Sequence, residues 1–344
     1  MDAPNNNSKI EELQRFIQLE AKRLGLSPLE AVEILGDLCG YDVTIAEISY
    51  KRVQFFKESG GIRVLHIPND KLMAVQRNIL VNELYKLPVS DMAHCAVPGR
   101  SPVTNATEHI GANAVFKLDF KDAFPSTTTA MVESALSKAI TEVTGDQHAA
   151  EARAKILAHI TTYKNQLPQG APTSPYLLNI VCRDLASELD AFLMWHDLTG
   201  TIYADDITVS AKAWAISEDV RLQIQGIAER HGYRINEAKT SYHHSGACDA
   251  VVTGISIKGE GSPLNLGLPR KVLNGYRGYI QRAILDTQIE AANVLGVIGW
   301  VTEVYGAIPE RLQKPFQKFL KARCPTETQA RFTKYFTNRA ESVA

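Results

Sequence analysis

Apolar and polar positions repeat along the chain with two different periods, and each change of period marks the border of a predicted element. Helix-forming composition and apolar residues three or four apart predict helices over about 71–87, 127–163, 176–196 and 217–230. Gly145-Asp146 predicts a break within the second of these regions. Runs rich in β-branched and aromatic residues predict strands over 50–56, 62–67, 114–118, 233–235 and 251–257, and Gly60-Gly61 predicts a hairpin turn between the first two. Capping patterns at Ser8 and Ser27 predict two more helices, over about 9–24 and 28–38.

The elements from residue 114 onward follow the order strand, helix, hairpin, helix and strand. This is the order of a ferredoxin-like split β-α-β sheet, which places the first strand in the centre beside the hairpin. The first strand ends at Asp119, and the hairpin over 201–209 carries Asp205 and Asp206 at its tip. The topology therefore predicts that three carboxylates from distant positions meet at one end of the sheet.

The segment YADD, residues 203–206, has two interpretations. A plain hairpin turn accounts for the paired acids, because Asp tolerates turn geometry. A metal site also accounts for them, because Mg²⁺ prefers carboxylates together with phosphate oxygens. With Asp119 as a third ligand and the backbone carbonyl of Phe120 completing one shell, the pattern predicts two Mg²⁺ ions that assist an in-line phosphoryl displacement.

Charge is distributed unevenly along the 344 residues, although the net charge is only −1. The segment 269–344 holds 12 Lys and Arg against 6 Asp and Glu. Such asymmetry fits an acidic catalytic centre beside a basic lobe that binds a polyanion, but a solvated helical face explains it equally well. The five cysteines are scattered and form no Cys-x-x-Cys pair, which argues against a disulfide framework and a zinc module. The absence of a signal-peptide pattern and of a long apolar run predicts a cytoplasmic protein without a membrane partner.

Five motifs resemble, in order, the consecutive motifs of reverse transcriptases: LDFKDAFPS (118–126), LPQGAPTSP (167–175), YADD (203–206), RINEAKT (234–240) and VTG (252–254). NATEH (105–109) resembles the Asn-Ala-x-x-His element of bacterial retron reverse transcriptases, and VTG resembles their second hallmark. Ala123 departs from the pattern, because an aromatic residue is common there in the retron family. The resemblance covers about residues 50–257 and is weaker beyond them.

The resemblance implies an α+β, right-hand polymerase architecture with fingers, a ferredoxin-like palm and a helical thumb. The implied borders are an N-terminal helical extension at 1–45 and fingers with the start of the palm at 46–118. The palm with inserted fingers helices (127–165) then occupies 119–257, and a basic helical thumb occupies 258–344.

The resemblance also implies roles for individual residues around the nucleotide. Asp119, Asp205 and Asp206 would be catalytic metal ligands, and Lys239 would be the general acid for the leaving group. Phe124 matches the steric gate that excludes ribonucleotides. The remaining implied nucleotide contacts are the amides of Asp122 and Ala123, the side chain of Gln169, and the guanidinium groups of Arg63 and Arg77.

Contacts to RNA or primer are implied at two groups of positions. The first group comprises the motif residues Asn105, His109, Tyr203, Val252, Thr253 and Gly254. The second lies on a predicted basic helix of the thumb and comprises Arg270, Lys271 and Arg277. Aromatic residues between the thumb cations would stack on bases or simply pack the thumb.

The function implied is Mg²⁺-dependent, RNA-templated synthesis of DNA from deoxynucleoside triphosphates. A retron enzyme would start from a 2′-hydroxyl of its cognate structured non-coding RNA and make branched multicopy single-stranded DNA. It would act in antiphage defence with an effector protein. The alternatives are a group II intron-like polymerase, an abortive-infection polymerase, and an RNA-binding scaffold with a polymerase fold.

Overall fold

A computed structural model describes residues 49–56, 60–213, 215–244, 250–257, 265–333 and 335–336, together with the isolated residues 22, 25 and 27. Apart from Lys22, the two helices predicted over 9–24 and 28–38 lie outside the described residues.

The first described element is an antiparallel hairpin of β1 (Tyr50–Phe56) and β2 (Ile62–Pro68). Its turn contains Gly60 and Gly61, both with a φ of 85°, a conformation that glycine adopts without steric cost. The hairpin predicted between these strands is therefore present. Helix α1 (Asp70–Asn82) follows and is capped by the side chain of Asn69; a 3₁₀ turn over Leu84–Lys86 takes the place of the end of the predicted helix.

A short helix, α2 (Pro102–Thr107), begins at Ser101, whose side chain caps it. The periodicity of the sequence predicts no separate helix in this segment, because six residues are too few to show a period. The helices α4 (Thr129–Thr144) and α5 (Gln147–Thr161) fill the predicted helical region 127–163 after the short helix α3 (Ala123–Ser126). Gly145, with a φ of 75°, ends α4.

Four antiparallel strands form the central sheet, which we call the palm sheet: β3 (Ala114–Asp119), β4 (Thr199–Tyr203), β5 (Asp206–Ala211) and β6 (Ser241–His244). Their spatial order is β4-β5-β3-β6, which is the predicted ferredoxin-like order with the first strand in the centre. Helices α6 (Ser174–Val181), α7 (Arg183–Trp195) and α8 (Glu218–Arg230) pack on it through one shared apolar core.

Two predicted elements of the palm are wrong. The single helix expected over 176–196 is divided at Cys182, whose φ of −80° and ψ of 4° interrupt the helical geometry. The strand expected over 233–235 is only an isolated bridge between Ile235 and Phe120, and the edge strand is β6 instead. The ring of Tyr233 stacks on Phe120 with centroids 4.6 Å apart, so this segment follows the core rather than a ladder of strand hydrogen bonds.

The C-terminal part begins with the small sheet of β7 (Val251–Val252), β8 (Ile255–Ile257) and β9 (Leu266–Gly267). The strand predicted over 251–257 is therefore a tight hairpin. Four helices follow: α9 (Arg270–Leu285), α10 (Ala291–Tyr305), α11 (Glu310–Arg323) and α12 (Thr326–Thr333). They share a second apolar core with the small sheet. Among the described residues, no helix has the length and apolar character that crossing a membrane requires.

Replacement of Gly200 by alanine should destabilise the palm. A Cβ at Gly200, in β4, would lie 2.7 Å from the Met92 side chain and would also collide with Leu193. Overpacking of this kind costs roughly 1–3 kcal/mol, so Gly200→Ala should lower the free energy of unfolding by that amount in denaturant titrations. The control is Gly275→Ala on α9, where a Cβ meets no atom within 4 Å; it should be neutral or stabilising by up to about 1 kcal/mol. Equal stability of the two variants would contradict the packing described here.

Candidate active site

Backbone pairing brings the three predicted acids together. Asp119, the last residue of β3, lies opposite Asp206, the first residue of β5. Asp205 stands in the two-residue turn between β4 and β5, and its carbonyl accepts a hydrogen bond of 2.9 Å from the amide of Phe120. The other turn residue, Ala204, has a φ of 57°, which is unfavourable for a residue with a Cβ. Backbone strain at this turn therefore coincides with the acid cluster, as is common at functional sites.

The carboxylate of Asp119 is buried and fully engaged. One oxygen accepts a hydrogen bond of 2.9 Å from the side-chain amide of Asn236, and the other forms an ion pair of 2.6 Å with Lys239. The backbone amide of Asn236 also donates a hydrogen bond of 2.8 Å to the backbone carbonyl of Asp119. The turn after Ile235 thus places the predicted general acid, Lys239, directly on the first acid. Asn236 was not among the predicted site residues, although it lies in the motif RINEAKT.

Mutual repulsion and burial dominate the electrostatics of the cluster. Burial raises the pKa of Asp205, the charge of Asp119 adds to the rise, and Lys239 and Arg63 oppose it. Burial also raises the pKa of Asp206 to about 6, with further contributions from the charges of Asp205 and Asp119. Burial alone would lower the pKa of Lys239, but the hydrogen bond to Asp119 and the charges of the acids raise it. The cluster therefore concentrates negative charge that a bound cation would stabilise.

The donor set fits Mg²⁺ by chemistry, since hard carboxylate oxygens come together from two adjacent strands and the turn between β4 and β5. Across the described ranges, no group of three or more His, Cys, Asp and Glu side chains is arranged as it stands to hold a metal ion. Both oxygens of Asp119 are occupied by Asn236 and Lys239. The cation that Asp119 contacts is thus the ammonium of Lys239, and each carboxylate oxygen keeps a second lone pair with which it could bind a metal ion.

The β1–β2 hairpin lies against the loop that carries Gln169. The amide of His66 donates to the carbonyl of Gln169 over 2.7 Å. The adjacent Gly170 has a φ of 108°, and a Cβ there would come within 3.3 Å of the His66 carbonyl. Arg63 is exposed on β2, and its charge is felt by Asp205. The structure therefore brings Arg63 towards the acids and the loop of Gln169 towards the same hairpin.

Arg77 lies on the exposed face of α1, and none of the hydrogen bonds, ion pairs or charge effects found at the acid cluster involves it. Its predicted contact with the triphosphate stays a prediction. The neighbouring Gln76 is buried and donates to the Tyr50 hydroxyl and the Ile160 carbonyl, each over 2.9 Å. Gln76 thus ties α1 to β1 and α5.

The segment after Asp119 turns sharply into α3. Asp122 is exposed with a φ of 54°, Ala123 is buried, and Phe124 is half-buried against the main core. The buried ring of Phe120 points into that core, which leaves its backbone carbonyl as the group available for the predicted metal contact. The amides and ring predicted to face the nucleotide therefore follow the acid within one short turn.

Three of the predicted RNA contacts are wrong as direct contacts, because Asn105, His109 and Val252 are at most 1% exposed. The ring of His109 bonds to Ser210 on β5 over 2.7 Å and to Thr201 on β4 over 2.8 Å. Burial lowers the pKa of His109 to about 3, so its ring is neutral. The motif residue His109 therefore connects, from the interior, the two strands of the hairpin that carries Asp205 and Asp206.

The other predicted nucleic-acid contacts remain accessible to different degrees. Tyr203 and Thr253 are half-buried, and Gly254 is exposed. Tyr203 hydrogen-bonds with Cys95, and burial raises the pKa of both groups. Cys95 was not predicted, because no motif in the sequence connects it with the hairpin. The exposed cations of α9 that were predicted to contact nucleic acid are Arg270, Lys271 and Arg277.

Comparison with known proteins decides the family. The family model described as reverse transcriptase (RNA-dependent DNA polymerase) matches residues 55–298, well over half of the chain. The retron Ec86 reverse transcriptase of Escherichia coli is 30% identical over 254 residues, which cover 73% of this chain and 74% of that enzyme. This chain belongs to the retron reverse transcriptases. The family implied by the motifs is therefore confirmed, and so is the α+β polymerase fold.

The chain is also similar to a second retron enzyme in sequence and to a telomerase in structure. The retron Mx65 reverse transcriptase of Myxococcus xanthus is 34% identical over 271 residues, which cover 75% of this chain but only 62% of that enzyme. Among solved structures, telomerase from Candida tropicalis in complex with a TWJ fragment of telomeric RNA aligns with a TM-score of 0.48 and 12% identity. That alignment covers 80% of this chain and 54% of the telomerase chain.

Neutralising Asp206 should stabilise the protein in the absence of divalent ions. The folded pKa of about 6 exceeds the ordinary value of 3.8, so the stability linked to this group is fully present below pH 3.8 and is lost as the pH rises through about 6. With EDTA, Asp206→Asn should raise the free energy of unfolding by roughly 2 kcal/mol at pH 8, with the gain shrinking towards pH 4.

The matched control is Asp197→Asn, which removes an exposed carboxylate from a residue with a φ of 53°, where asparagine fits equally well. Its unfolding free energy should stay within about 0.5 kcal/mol of the wild type at both pH values. A stabilisation by Asp206→Asn that does not depend on pH would contradict the assigned repulsion.

Proposed function

We propose that this chain is an RNA-directed DNA polymerase that copies part of a structured RNA into DNA. The observation that carries the proposal is the pairing of Asp119 with Asp206 on adjacent central strands, with Asp205 in the connecting turn and Lys239 on Asp119. Three such carboxylates could bind the cations that assist nucleotidyl transfer. An RNA-binding scaffold would gain nothing from burying three carboxylates that repel one another. Membership of the retron reverse transcriptases supports the same assignment.

In this proposal the three aspartates hold two Mg²⁺ ions, with the Phe120 carbonyl as a further oxygen ligand. When bound, the ions would neutralise the phosphates and lower the pKa of the primer hydroxyl. The protein contributes the convergence of the carboxylates, which backbone pairing fixes before any ligand arrives. Prior placement of charged groups reduces the reorganisation that the reaction requires.

Lys239 is the proposed proton donor to the leaving pyrophosphate. Its contact with Asp119 and the charges of the acids raise its pKa, so it stays protonated at neutral pH. Arg63 on the hairpin and Gln169 on the adjoining loop would bind the triphosphate and sugar, since guanidinium groups pair well with phosphate. Phe124 would exclude a 2′-hydroxyl, which makes deoxynucleoside triphosphates the substrates.

The proposed template, primer and biological role are inferred from similarity to retron reverse transcriptases. We assign to this chain a cognate non-coding RNA that serves as template and supplies a 2′-hydroxyl as primer. The product is then branched multicopy single-stranded DNA, and the biological role is antiphage defence with an effector protein in the cytoplasm. The exposed cations of α9, including Arg270 and Arg277, would bind the backbone of the template and product.

Loss of the paired acids should abolish DNA synthesis. The chain is expressed with its neighbouring genomic RNA, and the purified nucleic acid is examined for short DNA covalently linked to RNA. Wild type should yield this product, and Asp205→Asn with Asp206→Asn should reduce it by at least about 10³-fold, because no carboxylate remains at the hairpin. The exposed control Asp197→Asn should match wild type. DNA that persists in the double variant would refute the site, and RNA-linked DNA absent from wild type would refute the retron assignment.

Shortening Phe124 should relax the choice of sugar. Phe124→Val should raise the efficiency of ribonucleotide relative to deoxynucleotide incorporation by on the order of tenfold, because the ring no longer occupies the space of a 2′-hydroxyl. The measurement is kcat/KM for each nucleotide in primer extension on an RNA template. Phe192→Val, which shortens a half-buried phenylalanine on α7, should leave the ratio unchanged. A ratio that also stays unchanged in Phe124→Val would remove Phe124 from this role.

A further inference from the structure

The two motifs that distinguish the retron family touch each other across 148 positions of sequence. The side-chain amide of Asn105, on α2, donates to the Thr253 hydroxyl over 3.4 Å. The Thr253 hydroxyl in turn donates to the carbonyl of Pro102, at the start of α2, over 3.1 Å. Asn105 is 1% exposed, and within the described residues its Oδ1 has no hydrogen-bond partner. The amide of Asn105 is thus held through its contact with the VTG turn.

The backbone of Thr253 is held in an unfavourable conformation. Thr253 and Gly254 form the turn between β7 and β8 with φ values of 48° and 83°. Two left-handed residues suit a tight hairpin, but asparagine or glycine normally occupies the first position. A β-branched residue with positive φ is an outlier and persists only where its surroundings hold it. The two hydrogen bonds of the Thr253 hydroxyl provide such a hold, which explains a threonine at this position.

The segment that follows α2 is anchored to the palm sheet. His109 is completely buried and bonds to Thr201 on β4 and to Ser210 on β5. These strands carry Asp205 and Asp206 at their connecting turn. The end of α2 is therefore fixed to the same strands that position the catalytic acids.

The opposite side of α2 belongs to the core of the C-terminal part. Ala106 is fully buried and packs in one cluster with Val252 and Ile255 of the β7–β8 hairpin and with Ile280 of α9. Strand β8 pairs with β9, and α9 begins three residues after β9 ends. The position of the VTG turn is thus transmitted through two strands to the basic helix.

We propose that α2 is a latch between palm and thumb, in which Asn105 and Thr253 are positioning residues that fix the basic helix α9 relative to the catalytic hairpin. The expected effect of this latch on template binding rests on the proposed polymerase function. Helix α9 has 16 residues and is therefore about 24 Å long. A tilt of about 5° at its start would move its far end by about 2 Å, enough to separate a cation from a phosphate oxygen. The two motifs would then act on nucleic acid through thumb placement and not by contact.

The test compares Thr253→Val, which keeps the shape and removes the hydroxyl, with Thr253→Ser, which keeps the hydroxyl. In the full chain, Thr253→Val and Asn105→Ala should each weaken binding of an RNA template annealed to a DNA primer by about three- to tenfold, the usual size of one hydrogen bond. The kcat at saturating template and nucleotide should change by less than about twofold, since the acids are untouched. Thr253→Ser should restore wild-type affinity.

The double variant and a control on the same helix sharpen the test. Asn105→Ala combined with Thr253→Val should be no weaker in template binding than the worse single variant, because both remove one interaction. Thr107→Val removes an exposed hydroxyl on α2 that, within the described part of the chain, bonds to the Val103 carbonyl of the same helix. It should leave template affinity at the wild-type value.

Hydrogen exchange in the nucleic-acid-free protein tests the latch independently of catalysis. Amides of residues 250–257 should exchange about three- to tenfold faster in Thr253→Val than in wild type or Thr253→Ser. Wild type that fails to extend a primer would refute the polymerase function, while this exchange result would still support the latch. Unchanged exchange at 250–257, additive effects in the double variant, or a loss of kcat at unchanged template affinity would each overturn the latch.

Discussion

Repulsion among three half-buried or buried carboxylates is the constraint on which the rest of the palm depends. Asp119 and Asp206 face each other in strand register, and Asp205 lies in the adjoining turn. The protein offsets the repulsion only in part, with the ammonium of Lys239 and the amide of Asn236 on Asp119. The remaining negative charge would favour binding of divalent cations, and the bound cations would attract the phosphates that the carboxylates alone repel. An arrangement that costs folding stability is thus the one that suits the proposed nucleotidyl transfer.

Buried polar contacts hold this charged cluster in place. Phe120 donates its amide to Asp205 and stacks its ring on Tyr233, which keeps the end of β3 fixed. On the far side of the hairpin, His109 satisfies two hydroxyl groups of β4 and β5 that would otherwise be buried without partners. Rigid strands on both sides of the turn allow the strained conformation of Ala204 to persist. Thr253 is stabilised in a similar way, because two side-chain hydrogen bonds hold its backbone at an unfavourable positive φ.

The motif residues of this chain thus divide into two kinds. Asp119, Lys239 and Gln169 lie at the proposed site of substrate chemistry or on a loop beside it. Asn105 and His109 lie in the interior and bind other parts of the chain. A short motif in sequence therefore identifies a position under constraint, but the constraint is chemical in the first group and structural in the second. The burial of a motif residue and its hydrogen-bond partners show to which of these two groups it belongs.

The sequence by itself determined the central place of the first palm strand beside the Asp-Asp hairpin, the β1–β2 hairpin, the break at Gly145 and the meeting of the three acids. Each of these follows from local rules: periodicity, turn residues with positive φ, and the few topologies open to a split β-α-β unit. Only the tertiary structure decided that Cys182 divides a helix, that β6 and not the segment at Tyr233 forms the sheet edge, and that Asn105 meets Thr253. These outcomes depend on contacts between residues far apart in sequence, whose energies no local pattern encodes.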